Sequence, residues 1–349
     1  MAFNLPPRPG TYNAGIPISD PSSSSSSFLS SLGPVRTVYD RFWGWRQSLG
    51  LPNPGNAENL QKEVKATQLT NYMFDGARAD LSKVLSTNPA FQVSHAFALG
   101  SQTQEPSYNF SSLFISDRTF LQGTLDNDGN VSGRFTQQWS SSEVTKGQMQ
   151  LGASADRSLL QVEHEHSGLD YTMNAKAVNP SPIDGSGVYI GSYLQSVTKH
   201  LALGVETIFQ RAPEGSEIAS TYLVKYTGGQ STWIATAQFQ TLGLLQASYY
   251  HKLSSQVEVA ADLQLIAAPM KRDAVATVGA KWDLRMATFK AQLDSGGKVS
   301  AMLEQRFAPN FAFLLTGEID HFKNAAKVGV GIMLEMNASP EDTGLPPQL

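Results

Sequence analysis

The chain has no cysteine among its 349 residues, so a disulfide framework, a thiolate metal site and a cysteine nucleophile are all excluded. The fold must hold by strand or helix pairing and by burial. It also lacks an excess of positive charge: 26 Lys and Arg against 30 Asp and Glu leave a formal charge of -4. Without clustered cations there is no field for phosphates, and nucleic acid is not an expected partner. Nowhere does an apolar run approach the roughly 18 residues that a spanning helix needs. The N-terminus offers only Arg8 and no apolar core, so neither a signal peptide nor a transmembrane helix is expected. Strands remain open to a membrane protein, because each needs only about 9–11 alternating residues to cross a bilayer.

Alternation is what the sequence does have. Near the C-terminus Val328, Val330, Ile332 and Leu334 share one parity, and Lys327, Gly329, Gly331 and Met333 take the other. The same separation recurs upstream. Val257, Val259, Ala261, Leu263 and Leu265 oppose Glu258, Asp262 and Gln264, and Phe289, Ala291 and Leu293 oppose Lys290, Gln292 and Asp294. From about Gly76 to Leu334 strand-sized segments follow one another between dense turn signals such as Asp126 to Asn130, Thr227 to Gln230 and Asp294 to Lys298. A strand-plus-turn unit of roughly 13 or 14 residues predicts about nineteen strands. Alternation alone fits a lipid-facing barrel or a soluble sandwich with its polar face outward. The strand count favours closure, which removes every edge. Trp139, Tyr171 and Trp233 near strand ends suit an aromatic belt or any ordinary sheet.

Ahead of the strands the organisation differs. Residues 1–33 are rich in Pro, Ser and Asn and are expected to be disordered. Pro34 opens a helical pattern through Val35, Val38, Tyr39, Phe42, Trp43 and Leu49, which Gly50 and Pro52 stop. Its role is open between an interfacial anchor, a docking site and packing on the sheet. A second helix is expected from about Ala57 to Leu69, with Leu60 and Val64 on a narrow apolar stripe among charged neighbours.

Two clusters invite a metal reading. In Glu163-His164-Glu165-His166 only the two imidazoles share a strand face and no third ligand is evident, so no metal site is expected. Asp126, Asp128 and Asn130 resemble the start of a calcium loop, but the glycine comes early and no glutamate stands twelfth. A hairpin turn explains them better. No catalytic Ser/His/Asp or phosphate-loop motif has its required context, so neither enzymatic activity nor a cofactor is expected. The polar parity nominates Glu163, Glu165, Glu206, Glu258, Asp262, Asp294, Glu304 and Glu318 as lumenal acids. Arg134, Lys146, Lys176, Lys281 and Lys290 lie among them. These acids either hydrate a pore or guide a substrate.

The runs from Leu69 to Lys83, Phe91 to Gly100, Gln122 to Asp126, Glu163 to His166 and Lys281 to Phe289 resemble the channel subunit of the translocase of the mitochondrial outer membrane (TOM complex), particularly its fungal members. The similarity extends over about residues 34–335. It implies an all-β transmembrane barrel of nineteen strands, related to the voltage-dependent anion channel of the eukaryotic porin superfamily. The barrel would be antiparallel except for a parallel closing pair, with N-terminal helices, one inside the lumen. Implied too are a mitochondrial outer-membrane location in contact with lipid, and a protein-conducting function for unfolded precursors with basic presequences. The implied partners are a central receptor, small single-helix subunits and further copies of the chain. Lys327, Gly329, Val330, Ile332 and Leu334 match that family's sorting signal. The expected organisation is therefore a disordered 1–33, a helical 34–75, a barrel over 76–335 and a tail over 336–349. A metabolite or anion pore and, outside membranes, a soluble β-rich binding protein are the competing readings. An acidic wall disfavours the first.

Overall fold

The computed structural model describes residues 41, 44–46, 48–101, 105–152, 158–181, 184–212, 215–229, 232–268 and 271–336. The stretch 1–33 and residues 337–349 of the expected tail lie outside the described residues. So do Val35, Val38, Tyr39, Phe42 and Trp43 of the first expected helix. Residues Met1–Gly50 and Leu51–Leu349 form two separate units. In the first, residues 41, 44–46 and 48 are helical, Leu49 and Gly50 form the following turn, and Ser48 Oγ donates to the Trp45 carbonyl at 2.6 Å.

The second unit is a closed sheet of nineteen strands. They are β1 (Gly76–Thr87), β2 (Ala90–Leu99), β3 (Ser107–Ile115), β4 (Thr119–Asp126), β5 (Val131–Gln138) and β6 (Glu143–Leu151). Next come β7 (Leu159–Ser167), β8 (Tyr171–Val178), β9 (Gly187–Ser196), β10 (Leu201–Ala212), β11 (Gly215–Gly228) and β12 (Trp233–Gln240). Then follow β13 (Leu244–Lys252), β14 (Val257–Ala268), β15 (Lys271–Asp283), β16 (Ala287–Asp294), β17 (Lys298–Ala308), β18 (Phe311–Asp320) and β19 (Ala325–Met336). Each strand pairs antiparallel with the next, and β1 pairs parallel with β19 from Gly76↔Gly329 to Lys83↔Met336. The parallel seam follows from the odd number: a meander of nineteen strands ends at the rim opposite its start.

The hairpins form where turn chemistry predicts them. In the Asp126–Asn130 turn Gly129 has φ +77° and its N–H donates to the Asp126 carbonyl at 3.1 Å, a conformation glycine adopts without a Cβ clash. At the β18–β19 turn Asp320 Oδ1 accepts from the N–H groups of Phe322 and Lys323 at 3.1 and 3.0 Å.

Large apolar residues of one strand parity are solvent-exposed around the barrel. Leu121, Val162, Val205, Tyr222, Val278 and Val328 are exposed by 41 to 61%. They form a continuous apolar outer face, the signature of a barrel standing in lipid. No helix among the described residues is long and apolar enough to span a membrane.

Candidate functional site

The inner face of the barrel is identified by what the chain threads through it. Residues 51–74 make hydrogen bonds to strands and hairpins from β7 to β18, and the strand side chains that take part lie on the parity opposite the apolar outer one. Ser196 Oγ donates to the Pro52 carbonyl at 2.7 Å, and Thr172 Oγ1 to Asn53 Oδ1 at 3.0 Å. Asn56 Nδ2 donates to Glu165 at 2.9 Å, and Lys225 Nζ to the Pro54 carbonyl at 2.9 Å. Further along, Lys290 Nζ donates to the Ala66 carbonyl at 2.8 Å and Thr316 Oγ1 to the Phe74 carbonyl at 2.9 Å. A short segment meets so many strands, on one parity, only from inside the cylinder. It enters beside the β7–β8 hairpin and the end of β9, and reaches the opposite rim at the start of β1. Leu51 therefore lies at the same rim as Met336.

The expected helix from Ala57 to Leu69 is two pieces: a 3-10 turn, Ala57–Asn59, and α1, Lys62–Thr67. Asn56 caps the first turn by accepting the Glu58 N–H at 3.1 Å. The break serves packing, because the two apolar residues meet different walls. Leu60, 2% exposed, joins Ala57, Leu194, Ala202 and Leu223, whereas Val64 joins Tyr250 and Ala260. Lys290 sits at the negative end of α1, where a cation is favoured, and its ammonium lies 3.7 Å from the centre of the Tyr72 ring.

All the candidate lumenal acids share this inner parity, as the registers Glu163↔Lys176, Ser192↔Glu206, Glu258↔Lys281, Asp262↔Thr277, Thr277↔Asp294, Thr288↔Glu304 and Ser300↔Glu318 require. Their surroundings differ. Glu163 is 3% exposed and binds Lys146 Nζ at 3.0 Å and Asn174 Nδ2 at 2.8 Å. Glu165 shares the same Lys146 at 2.9 Å and holds Asn56. These two acids fasten the threaded segment to β6, β7 and β8. Glu206 faces a recess of about 280 Å³ with Lys176 and Glu58. Glu258 lies 4.0 Å from Lys281, and Glu304 pairs with Arg306 at 3.1 Å.

Asp262, Asp294 and Glu318 are different. Asp262 accepts from the amides of Gln246 and Gln264, Asp294 from the Gly296 N–H, and Glu318 from Ser300 Oγ. None of these partners is charged. All three acids line one recess of about 480 Å³ between α1 and the wall formed by β13 to β18, together with Lys65 and Lys298. On the other side of the bore, β2 to β6 present Gln92, Ser94, Asn109, Ser111, Gln122 and Thr124 inward, with Arg134 and Lys146 the cations of β5 and β6. The described contacts of the threaded segment leave β2 to β5 uncovered, so the passage is bounded by a largely uncharged wall and a charged one. The imidazoles of His164 and His166 project outward, where His164 Nδ1 lies 3.0 Å from Thr145 Oγ1.

At the seam, Lys327, Gly329, Gly331 and Met333 face inward and Val328, Val330, Ile332 and Leu334 outward. Gly329 is pressed by the threaded segment. A Cβ there would meet the Phe74 carbonyl oxygen, Thr316 Oγ1 at 2.5 Å and Phe74 Cδ2 at 2.8 Å. A Cβ on Gly331 would meet the edge of the same ring at 3.0 Å. Phe74, Leu69, Asn53, Asn56 and Thr316 were not singled out from the sequence. The glycine pair on one parity was the available signal for a close neighbour, but it did not name Phe74.

The chain matches the eukaryotic porin family over residues 53–329. It is 40% identical to the mitochondrial import receptor subunit tom40 of Neurospora crassa, over 85% of this chain and 87% of that protein. Against the Saccharomyces cerevisiae TOM40 subunit the identity is 39%, over 91% and 86%. The TOM40 homolog of Homo sapiens is 30% identical over 95% of this chain and 90% of its own length. A closed nineteen-stranded barrel with an apolar outer face, a helix-bearing segment through its bore and similarity along nearly its whole length together mean that this chain belongs to the eukaryotic porin family, on its Tom40 side.

Proposed function

We propose that the chain is the protein-conducting channel of the mitochondrial outer membrane, passing unfolded precursor segments through the barrel alongside the threaded helix. The observation that carries the reading of its lumen is the trio Asp262, Asp294 and Glu318, carboxylates on one recess that make no ion pair with a described lysine or arginine, although Lys65 and Lys298 line the same recess. A basic, extended segment would find there three separated charges and many amide and hydroxyl partners, each contact weak enough to be exchanged for the next. The uncharged wall of β2 to β4 opposite would let the less charged parts of a chain pass without a strong hold. Glu163 and Glu165 serve the threaded segment instead, and Glu258 and Glu304 are partly neutralised by their neighbours. No nucleotide motif is present in the sequence, so direction comes from partners. As part of a TOM complex the chain would assemble with a receptor subunit, small single-helix subunits and further copies of itself.

Reconstitution tests the reading. The full chain in proteoliposomes should render an added unfolded polypeptide with a basic leading segment resistant to external protease. The same polypeptide with its basic residues changed to glutamine should be protected more slowly. Equal protection of both, or none with a demonstrably open barrel, overturns the proposal.

A further inference from the structure

Several cations that face the bore are held by this chain's own oxygens. Lys146 lies 3.0 Å from Glu163 and 2.9 Å from Glu165, Lys176 lies 3.1 Å from Glu58, and Lys281 lies 2.6 Å from Asp283. Lys225 and Lys290 donate to the carbonyls of Pro54 and Ala66. Arg134 on β5 is different: it is exposed and has no ion-pair or hydrogen-bond partner among the described residues. Its cross-strand neighbours are Gln122 on β4 and Gln148 on β6, with Gln161 on β7 next in the row. Amides leave the guanidinium charge whole, and each can turn an N–H toward an anion held beside it.

Arg134, Thr136, Gln148 and Gln161 line a recess of about 540 Å³ between the first turn of the threaded segment and β4 to β7. Lys146, Glu163 and Glu58 border it as members of the pairs above, so Arg134 sets its unbalanced charge. The recess faces the acidic one. In the closed ring β14 and β16, which carry Asp262 and Asp294, stand nine and eight strands from β5 by the shorter way, close to half of nineteen. The levels agree as well. β5 begins at Val131, just before Arg134, and that rim is the one where β16 ends at Asp294 and β18 at Asp320, just beyond Glu318. Lys65 and Lys298 share the acidic recess, yet three carboxylates against two ammonium groups leave that side negative.

We propose that the Arg134 recess is a second hold, opposite in sign to the first, that takes acidic side chains of a polypeptide in transit; the proposal rests on the protein-conducting reading. A guanidinium grips a carboxylate with two parallel N–H bonds, and the flanking amides add further donors. In an extended chain successive side chains point to opposite sides. A segment in which acid and base alternate therefore turns its carboxylates toward Arg134 while its ammonium groups face Asp262 and Asp294. A segment with the same charges in like pairs puts both signs on each side and fits neither wall. The bore thus reads the side on which a charge is carried as well as the net charge.

The test uses the full chain in a planar bilayer and three peptides of one length, each opening with the same basic leader. One continues with Lys and Glu in alternation, the second with the same residues in like pairs, and the third with glutamine alone. Alternating order should lengthen the interruptions of current roughly two- to fivefold over paired order, the worth of one exposed ion pair. Arg134→Gln should bring the two orders level and leave the glutamine peptide unchanged, whereas Arg134→Lys, which keeps the charge, should keep part of the difference. Arg134 is exposed and unpaired, so neither change disturbs packing, and heat-modifiable gel mobility checks that the barrel is folded. Equal interruptions by the two orders, or a difference that survives Arg134→Gln, overturn the second hold and leave the channel reading in place. If the glutamine peptide with its basic leader does not interrupt the current either, the channel reading itself fails.

Discussion

Gly329→Ala tests the closing seam most sharply. The added methyl carbon would lie 2.5 Å from Thr316 Oγ1 and 2.8 Å from Phe74 Cδ2, well inside contact distance, and would also press on the Phe74 carbonyl. Thr316 is 1% exposed and cannot swing into water, so the methyl is accommodated only by moving Phe74 off the seam. That movement breaks the 2.9 Å bond from Thr316 to the Phe74 carbonyl. A lost buried hydrogen bond of about 1 kcal/mol and overpacking of about 1–3 kcal/mol together give a destabilisation of about 2–4 kcal/mol. Refolding of purified, denatured chain into detergent or lipid measures this without any sorting machinery, so a folding cost is read apart from an assembly cost. Gly133→Ala is the control, since nothing lies within 4 Å of the place its methyl would take. If Gly329→Ala refolds and denatures like Gly133→Ala, the seam is not under the pressure described, and the glycine serves recognition alone.

Three other substitutions probe the anchoring and the setting of the barrel. Lys146→Met leaves Glu163, 3% exposed, without its hydrogen-bonded cation, only Lys176 remaining across the strand pair, and should cost about 1.5–3 kcal/mol in urea unfolding; adding Glu163→Gln should recover most of that loss, and no recovery would refute the pairing. Leu60→Ala empties a contact with Leu194 and Leu223, at a cost of about 2–5 kcal/mol to the anchoring. Amide exchange should then rise over residues 57–67 and stay unchanged in β2 to β5, and a uniform rise would contradict a separately anchored segment. Val278→Lys places a charge on the outer face and should weaken folding into bilayers by about 2–4 kcal/mol if it lies near mid-membrane. A negligible change would contradict lipid contact at that position.

Much of the barrel was legible because its signal is local. Alternation in Val257 to Leu265 or Phe289 to Leu293 defines two faces without knowledge of any neighbour, and Gly129 marks its turn on its own. Once strands pair in order, parity alone places Glu258, Asp262, Asp294 and Glu318 on one surface. Depth was not legible. Glu163 and Glu318 have the same parity, yet Glu163 is buried by Lys146, Asn174 and the threaded segment, contacts that join residues far apart in sequence. The threaded segment was read as one helix because Leu60 and Val64 stand four residues apart, a helical spacing. The break arises because the β9–β11 wall claims one of them and the β13–β14 wall the other. Leu69 and Phe74 lie in a stretch with no period, so nothing marked them as the residues that meet the wall.

The most direct measurement of the central claim is the planar-bilayer conductance of the full chain while a basic, unfolded peptide is added to one side. Interruptions of current should lengthen as the peptide's positive charge increases, and should shorten in high salt, which screens exposed charges beyond roughly 3 Å at 1 M. Changing Asp262, Asp294 and Glu318 together to Asn, Asn and Gln should shorten them as well while leaving the open conductance of a folded barrel in place. Interruptions of the same length in that triple variant would contradict the assignment of the recess, and a preference for acidic peptides would contradict the channel's proposed cargo.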